Sequence, residues 1–319
     1  MKNVFYIIII FALFGCNTNK NSEVGINPLP NFDAMWDYQH PDSTEIVFTE
    51  ILKGLTDSAE SSYDIGYHAE LLTQIARTQG LQRKFIQAHA TLDSVKNMLN
   101  DNMKIAFMRY LLERGRVFNS SGEKEVSKPI FLKAFEFGTE NNLDIYTIDA
   151  AHMMGIVEPH EKQLEWNLKA LKIAEDTSAA NCKGWLAPLY NNIGWTFHDL
   201  TEYDQALIYF QKGYERRIEI GDERGTRIAK WTVGRCLRSL GQIDEALKLL
   251  KEIQTELEEK NLPKDGYVFE ELAELYSLKG NKKLAKINFK LAYEELSKDA
   301  WISANQPERL SRLKDLGDQ

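Results

Sequence analysis

A set of small and large apolar residues recurs along the chain at constant spacing, and this spacing limits the possible folds more than any other feature. The clearest copy places Gly194, Phe197, Ala206, Phe210 and Gly213 at offsets 0, 3, 12, 16 and 19. Small residues at offsets 0, 12 and 19 let two helix backbones approach closely, and large residues at offsets 3 and 16 fill the space between neighbours. Each copy therefore predicts two packed helices, here called helix A and helix B, joined by a tight turn. One such hairpin cannot bury its apolar face alone, so hairpins must stack.

Five further copies of the pattern give six predicted hairpins. Their first positions are Thr73, Gly115, Ala151, Gly234 and Ala273, and the copies at Thr73 and Ala151 fit least well. In four of the six copies a glycine stands seven residues after the first position, and these glycines are Gly80, Gly122, Gly241 and Gly280. Glycine accepts a positive φ at little cost, so we expect helix A to end and the chain to turn at each of them.

The pattern resembles the tetratricopeptide repeat. The match covers roughly residues 63–296 and is most specific in "NNIGWTFHDLTEYDQALIYF", "TVGRCLRSLGQIDEALKLL" and "LAELYSLKGNKKLAKINFKLA". The resemblance implies an all-α fold, a right-handed α-solenoid of about six hairpins over residues 63–296. The repeats are 36 to 43 residues apart, longer than the usual period of about 34. Such lengthened repeats look like those of bacterial peptide-sensing regulators and eukaryotic adaptor proteins, and the chain also resembles bacterial tetratricopeptide proteins of unassigned function.

Capping elements are predicted on both sides of the repeats. Residues 32–62 contain an N-cap signal at Asp42 or Ser43 followed by an apolar stripe, which predicts a capping helix. Residues 297–319 contain Asn305 as a cap and Pro307 in the first turn, which predicts a second capping helix.

The N-terminal residues have a different character. Residues 1–15 hold Lys2 and a short apolar run, "VFYIIIIFALF", which is too short to span a bilayer comfortably and is typical of a signal peptide. The tetrad "LFGC" resembles the bacterial lipoprotein processing box, although Phe14 departs from its usual small residue. The resemblance implies that Cys16 carries acyl chains such as palmitate, with residues 16–31 as a flexible tether. An ordinary secretory signal with an incidental cysteine is the alternative. Asn17, in place of the Asp that retains enteric lipoproteins at the inner membrane, implies the outer membrane if the host has one.

Composition excludes some classes of protein. The formal net charge of -8 argues against a nucleic-acid binder, and 43% hydrophobic with 11% aromatic residues argue against disorder. Beyond Cys16 the chain has only Cys182 and Cys236, which could form one disulfide but have no CxxC spacing for zinc. Cys236 lies on an apolar helical pattern, so a buried thiol is the favoured interpretation.

A stripe of polar and aromatic residues on the A helices predicts a binding site. In the family that the chain resembles, helix A lines the concave face of the solenoid. The stripe begins with residues that include Tyr67, Glu70, Gln74, Arg77, Arg109 and Glu113. The predicted groove residues are Arg116, His152, Asn191, Trp195, His198, Trp231, Arg235, Arg238, Glu270 and Glu274. Arginine grips carboxylates with two hydrogen bonds and indole offers a flat apolar platform, so the set suits an extended peptide with an acidic group and an aromatic or aliphatic anchor. The alternative is that the charges are merely solvated and the tryptophans pack between repeats.

Two other chemistries are less well supported. Repeats that clamp a terminal carboxylate carry Asn at the ninth position of helix A, whereas this chain has Gln74, Arg116, His152, Trp195, Arg235 and Glu274 there. For catalysis the best candidates are the pairs Asp149 with His152 and His198 with Asp199, but "HEKQLEW" lacks the second His of a zincin. No GxSxG, P-loop or dinucleotide fingerprint is present. We therefore expect no enzyme and no cofactor.

The leading hypothesis is a lipid-anchored adaptor at the cell envelope that binds a protein or peptide partner in its groove. The second is a solute-capture lipoprotein that hands a small molecule or glycan to a transporter, since paired aromatic residues suit that ligand too. Large glycan-binding lipoproteins with similar repeats carry long insertions, which this chain lacks. A hydrolase is a remote third.

Overall fold

The computed structural model describes residues 29–57 and 64–318, and all regular structure in those ranges is helical. The all-α fold class is therefore confirmed. The predicted signal peptide, the lipidation site Cys16 and the tether up to residue 28 lie outside the described residues, as does the stretch 58–63. Within the described ranges, every helix is too short or too polar to cross a membrane.

Fifteen α-helices and two short 3-10 helices make up the described part of the chain. The 3-10 helices are Phe32–Met35 and Ala180–Trp185. The α-helices are α1 (Pro41–Asp57), α2 (Ile65–Leu81), α3 (Phe85–Met98), α4 (Lys104–Ser120), α5 (Lys124–Glu140), α6 (Asp144–Val157), α7 (His160–Asp176), α8 (Leu186–Asp199), α9 (Tyr203–Glu219), α10 (Glu223–Ser239), α11 (Ile243–Glu259), α12 (Gly266–Leu278), α13 (Lys282–Leu296), α14 (Ala300–Asn305) and α15 (Pro307–Asp318).

The helices form two compact units. Unit 1 ends at Trp185 and contains the hairpins α2–α3, α4–α5 and α6–α7, with α1 packed against α2. Unit 2 begins at Leu186 and contains the hairpins α8–α9, α10–α11 and α12–α13, with α15 packed against α13. The six predicted hairpins are all present, with the even-numbered helices α2 to α12 as helix A and their successors as helix B.

In the hairpins α4–α5, α8–α9 and α10–α11, the first position of the pattern meets the residue sixteen positions later. A Cβ atom on Gly115 would lie 2.5 Å from the ring of Phe131, and one on Gly194 would lie 2.6 Å from the ring of Phe210. Both rings are fully buried. The large residue of helix B thus sits directly on the bare backbone of helix A, as the spacing predicted.

The predicted turns are confirmed at three of the four glycines. Gly122, Gly241 and Gly280 have φ of 95°, 76° and 72°, the region that favours glycine. The prediction is wrong for Gly80, which lies inside α2. Helix α2 ends eight residues after Thr73, whereas α4 ends five residues after Gly115, so the turn comes later and Arg83 adopts the positive φ of 60°.

Two predicted caps are displaced. Helix α1 begins at Pro41, because the His40 carbonyl already accepts the Thr44 N–H at 3.1 Å, so neither Asp42 nor Ser43 is the cap. Asn305 is the last residue of α14, where its side-chain amide donates to the Trp301 carbonyl at 2.8 Å. Helix α15 nevertheless starts at Pro307.

Both cysteines in the described part of the chain are buried and free. Burial raises the pKa of the Cys236 thiol to about 11, so it stays protonated at neutral pH. The prediction of a buried thiol at Cys236 is confirmed.

Candidate functional site

The A helices of unit 2 bring two predicted indoles together. Trp195 on α8 and Trp231 on α10 have ring centroids 6.1 Å apart, and both rings are partly exposed. Trp195 also packs edge-on against Phe210 at 5.1 Å, the same ring that covers Gly194. The contact that closes the hairpin therefore also fixes the orientation of the indole.

The two indole N–H groups differ in their partners. Trp231 Nε1 donates to the Tyr267 carbonyl on α12 at 3.1 Å, which ties two successive A helices together. Trp195 Nε1 is buried and has no acceptor among the described residues. Because its N–H makes no hydrogen bond, the Trp195 indole is held by packing against neighbouring side chains, and the unpaired donor lowers the stability of the fold.

Beside the indoles, two arginines of α10 share one carboxylate of α12. Arg238 donates from Nε to Glu271 Oε2 at 2.6 Å and from Nη2 to Oε1 at 3.0 Å, and Arg235 Nε lies 3.1 Å from the same Oε1. Glu271 is only 5% exposed. Burial lowers the pKa of Arg235 even though Glu271 opposes that change. Two guanidinium groups against one carboxylate leave an excess of positive charge at this point.

His198 lies close to the same two arginines. Its Nε2 lies 3.0 Å from the Ser239 hydroxyl, which also accepts a hydrogen bond from Arg235 Nη1 at 2.7 Å. Burial, reinforced by Arg235 and Arg238, lowers the pKa of His198 to about 4. The imidazole is therefore neutral at pH 7.

The predicted acidic end of the stripe is already neutralised from within unit 2. Glu270 accepts hydrogen bonds from Arg309 on α15, with Nε 3.1 Å from both carboxylate oxygens. Glu274 accepts from Arg312 Nη2 at 2.5 Å. The remaining predicted residue of this unit, Asn191, is partly exposed on α8. Helix α15 thus pairs both acids, and the indole–arginine part of the stripe is left as the candidate site.

In unit 1 the predicted residues belong to a second charge network. Glu113, 3% exposed, accepts from Arg77 Nη1 at 2.9 Å and from Arg116 Nη1 at 2.6 Å. Arg116 Nη2 also donates to Asp149 at 2.5 Å. Burial opposes ionisation of Asp149, but Arg116 overrides it and holds the pKa of this carboxyl below its usual value. Burial lowers the pKa of His152 to about 4, and its ring lies 5.3 Å from that of Trp185. The candidate catalytic carboxylate is therefore engaged by an arginine.

Glu113 and Glu271 act as shared acceptors, a role that the sequence analysis missed. Each stands two residues before the first position of its repeat, and each binds an arginine four residues after the first position of the preceding repeat, Arg77 and Arg238 respectively. This recurrence of Arg and Glu at fixed offsets is a signal that could have identified both pairs. The arginines are consequently held in place rather than freely solvated.

Metal binding finds no support in the described ranges. There, no group of three or more His, Cys, Asp or Glu side chains is arranged to hold a metal ion.

Comparisons with known proteins agree with this architecture. Residues 185–255 match the tetratricopeptide repeat family model. The chain is similar to the apo form of RapI, with a TM-score of 0.68 at 17% identity over 87% of this chain and 76% of that one. It is similar to a Rap protein complexed with Competence and Sporulation Factor, with a TM-score of 0.55 at 16% identity over 86% and 76%.

A third similar structure is a Signal Transduction ATPase with Numerous Domains, carrying a tetratricopeptide repeat sensor, from Pyrococcus horikoshii. Its TM-score is 0.68 at 17% identity, over 85% of this chain but 42% of that protein. A search of curated proteins finds no match. The segment 185–255 is thus made of tetratricopeptide repeats, and the chain has the fold of tetratricopeptide-repeat proteins.

The histidines provide a test of the electrostatics in both units. We expect an NMR titration of the imidazole Cε1–Hε1 signals to show His198 and His152 titrating near pH 4, since burial disfavours their charged forms. His40 is a matched control in the same chain, because its hydrogen bond with Asp37 raises its pKa above 6.5. At pH 5.5 only His40 of these three should be mostly protonated. A midpoint at or above 6.5 for His198 would contradict the burial of its imidazole beside Arg235 and Arg238.

Proposed function

We propose that this protein is a non-catalytic scaffold that binds an extended segment of a protein partner on the A helices of unit 2. The binding surface, called the unit 2 face below, is formed by Trp195, His198, Trp231, Arg235 and Arg238. The observation that carries the proposal is the pair of adjacent, partly exposed indoles beside two arginines that share one buried carboxylate.

The charge at this face selects for an acidic ligand. Glu271 compensates one of the two guanidinium groups, and His198, which is neutral at pH 7, adds no charge. A ligand carboxylate would neutralise the remaining positive charge with charge-assisted hydrogen bonds. Because Glu271 already orients both arginines, less side-chain entropy is lost when a ligand binds.

The indoles supply the apolar part of the recognition. Trp195 and Trp231 form a tilted pair held by Phe210 and by the Tyr267 carbonyl, so the platform exists before any ligand arrives. Tryptophan and arginine are the residues most enriched among those that dominate binding energy in protein interfaces. An aromatic or aliphatic ligand side chain on the indoles, next to an acidic group on the arginines, fits both halves of the face.

The comparisons support a binding role of this class. A Rap protein with the same fold has been crystallised in a complex with Competence and Sporulation Factor. Paired indoles would also suit a sugar or aromatic solute, the alternative of a solute-capture lipoprotein. The adjacent arginines favour the acidic segment of a protein.

Replacing Trp195 and Arg235 together by Ala should weaken capture of the partner at least tenfold, since each removes a central contact of the kind that costs about 2 kcal/mol or more. The measurement is chemical crosslinking and pull-down from the host's envelope fraction by the purified protein, quantified by mass spectrometry of the captured protein. Circular dichroism should show unchanged helical content.

The matched control is Trp301→Ala with Arg224→Ala, an exposed indole and an exposed arginine outside the unit 2 face. This variant should capture the partner as the wild type does. Equal capture by the Trp195 and Arg235 variant would remove the face from consideration. A retained small molecule or glycan with no protein prey would favour solute capture instead.

We further propose that acyl chains on Cys16 hold the scaffold at a membrane surface, with the outer membrane as the location in a host that has one. The motif "LFGC" and Asn17 support this proposal. Each buried methylene of an acyl chain contributes about 0.8 kcal/mol, so a doubly or triply acylated cysteine would give stable anchoring.

Metabolic labelling with an alkyne palmitate analogue tests the anchor. Wild-type protein should carry the label and sediment with membranes, and Cys16→Ser should lose the label and remain an unprocessed precursor. Cys182→Ser is the control, since this thiol is buried within unit 1 and should leave labelling unchanged. Label that persists in Cys16→Ser, or a processed wild type without label, would contradict the proposal.

A further inference from the structure

The A-helix stripe of unit 1 is covered by the chain's own residues 30–38, called the N-terminal segment below. Arg109 on α4 binds Asp33 with two hydrogen bonds, Nη1 to Oδ1 at 3.0 Å and Nη2 to Oδ2 at 2.5 Å. The Arg109 Cζ also lies 5.3 Å from the centroid of the Phe32 ring. The Arg109 guanidinium thus contacts both the aromatic ring of Phe32 and the carboxylate of the next residue, Asp33.

Helix α2 holds both ends of the N-terminal segment. Tyr67 Oη donates to the Pro30 carbonyl at 2.6 Å, and Trp36 Nε1 donates to Gln74 Oε1 at 3.1 Å. Tyr67 and Gln74 are seven residues apart, so they lie on one side of α2 two turns from each other. The segment therefore runs along the same stripe that the sequence analysis assigned to a ligand.

Aromatic rings anchor the segment at two points. The Phe32 ring is 5% exposed and packs edge-on against Tyr67, with centroids 5.2 Å apart. The Trp36 and Tyr38 rings stack with centroids 4.6 Å apart, and Arg77 Cζ lies 5.8 Å and 5.4 Å from their centroids. Two aromatic anchors and one carboxylate thus meet two arginines of the stripe.

The N-terminal segment resembles a bound peptide whose C-terminal end is attached to the helices. It forms a single 3-10 turn, and its C-terminal end is tied to α1, where the Asp37 N–H donates to Thr44 Oγ1 at 3.1 Å. The Asp33 side chain is still 50% exposed. Its bonds to the A helices are made by side chains of the stripe, so another chain with the same side chains could make them in its place.

We propose that the unit 1 stripe, formed by Tyr67, Gln74, Arg77 and Arg109, is a second peptide-binding surface, and that the N-terminal segment is its resident occupant. The occupant indicates the class of ligand. It is an extended peptide with an aromatic residue, an acidic residue directly after it, and a tryptophan three residues after the acidic one. An external segment of this chemistry competes with the resident one. The surface lies wholly in unit 1 and does not depend on the proposed role of the unit 2 face.

The probe is a fluorescein-labelled peptide, LPNFDAMWDYQ, which copies residues 29–39. Its binding is measured by fluorescence anisotropy against full-length protein in a Trp195→Ala, Arg235→Ala background, so that the unit 2 face does not contribute. Adding Asp33→Asn and Trp36→Ala to the protein weakens the resident segment. We expect this variant to bind the probe at least tenfold more tightly than its parent.

Two controls define the site. A further Arg109→Ala substitution should abolish the gain in affinity, and a peptide with its own Asp and Trp replaced by Ala should bind at least tenfold more weakly. If the weakened variant keeps its helical content and binds the probe no more tightly than its parent, the segment is only a cap and the proposal fails.

A measurement on the unaltered segment guards against a variant that does not fold. Hydrogen exchange of the Ala34 and Asp37 amides, which donate to the Asn31 carbonyl and to Thr44, is followed in the wild-type chain. Saturating unlabelled peptide should accelerate their exchange severalfold while the α2 amides are unaffected. Exchange that is unchanged by the peptide would overturn the proposal.

Discussion

The rest of the structure depends on one contact, made in the hairpins α4–α5, α8–α9 and α10–α11, in which a large residue of helix B lies on the glycine sixteen positions earlier in helix A. In the α8–α9 hairpin the Phe210 ring lies on the bare backbone at Gly194, at a distance that leaves no room for a Cβ atom. This contact fixes one side of helix A against helix B. The Phe210 ring also contacts Trp195, so one residue both closes the hairpin and orients an indole of the candidate site.

The polar stripes repeat a second arrangement within each unit. An arginine on one helix A reaches a buried glutamate on the next, as Arg77 does with Glu113 and Arg238 with Glu271. In unit 1 this pairing holds the Arg77 guanidinium beside the Trp36 and Tyr38 rings. In unit 1 the chain's own aromatic and acidic residues meet that surface, and in unit 2 we assign the same chemistry to a partner.

Features that recur along the chain leave a signal in the sequence, and features that occur once leave none. The six hairpins follow from periodic positions, because each copy of the pattern specifies one pair of packed helices. The contact between Trp195 and Trp231 does not follow from the period, since Trp195 stands one residue after the first position of its repeat and Trp231 three residues before that of the next. The pairing of the arginines was missed, although Arg and Glu recur at the same offsets in Arg77–Glu113 and Arg238–Glu271. The docking of the N-terminal segment has no periodic signal, as its contacts join residues 37 to 76 positions apart. Helix α14 has only six residues, too few for a period.

The free energy of unfolding of Gly194→Ala, compared with that of Gly54→Ala in urea, tests the underlying contact most directly. Both glycines lie inside helices, but the Cβ position at Gly54 is open, whereas the one at Gly194 meets the buried ring of Phe210. Alanine's helix propensity should leave Gly54→Ala unchanged or up to about 1 kcal/mol more stable. The collision should make Gly194→Ala less stable by about 1–3 kcal/mol. Equal stabilisation by both substitutions would contradict the account.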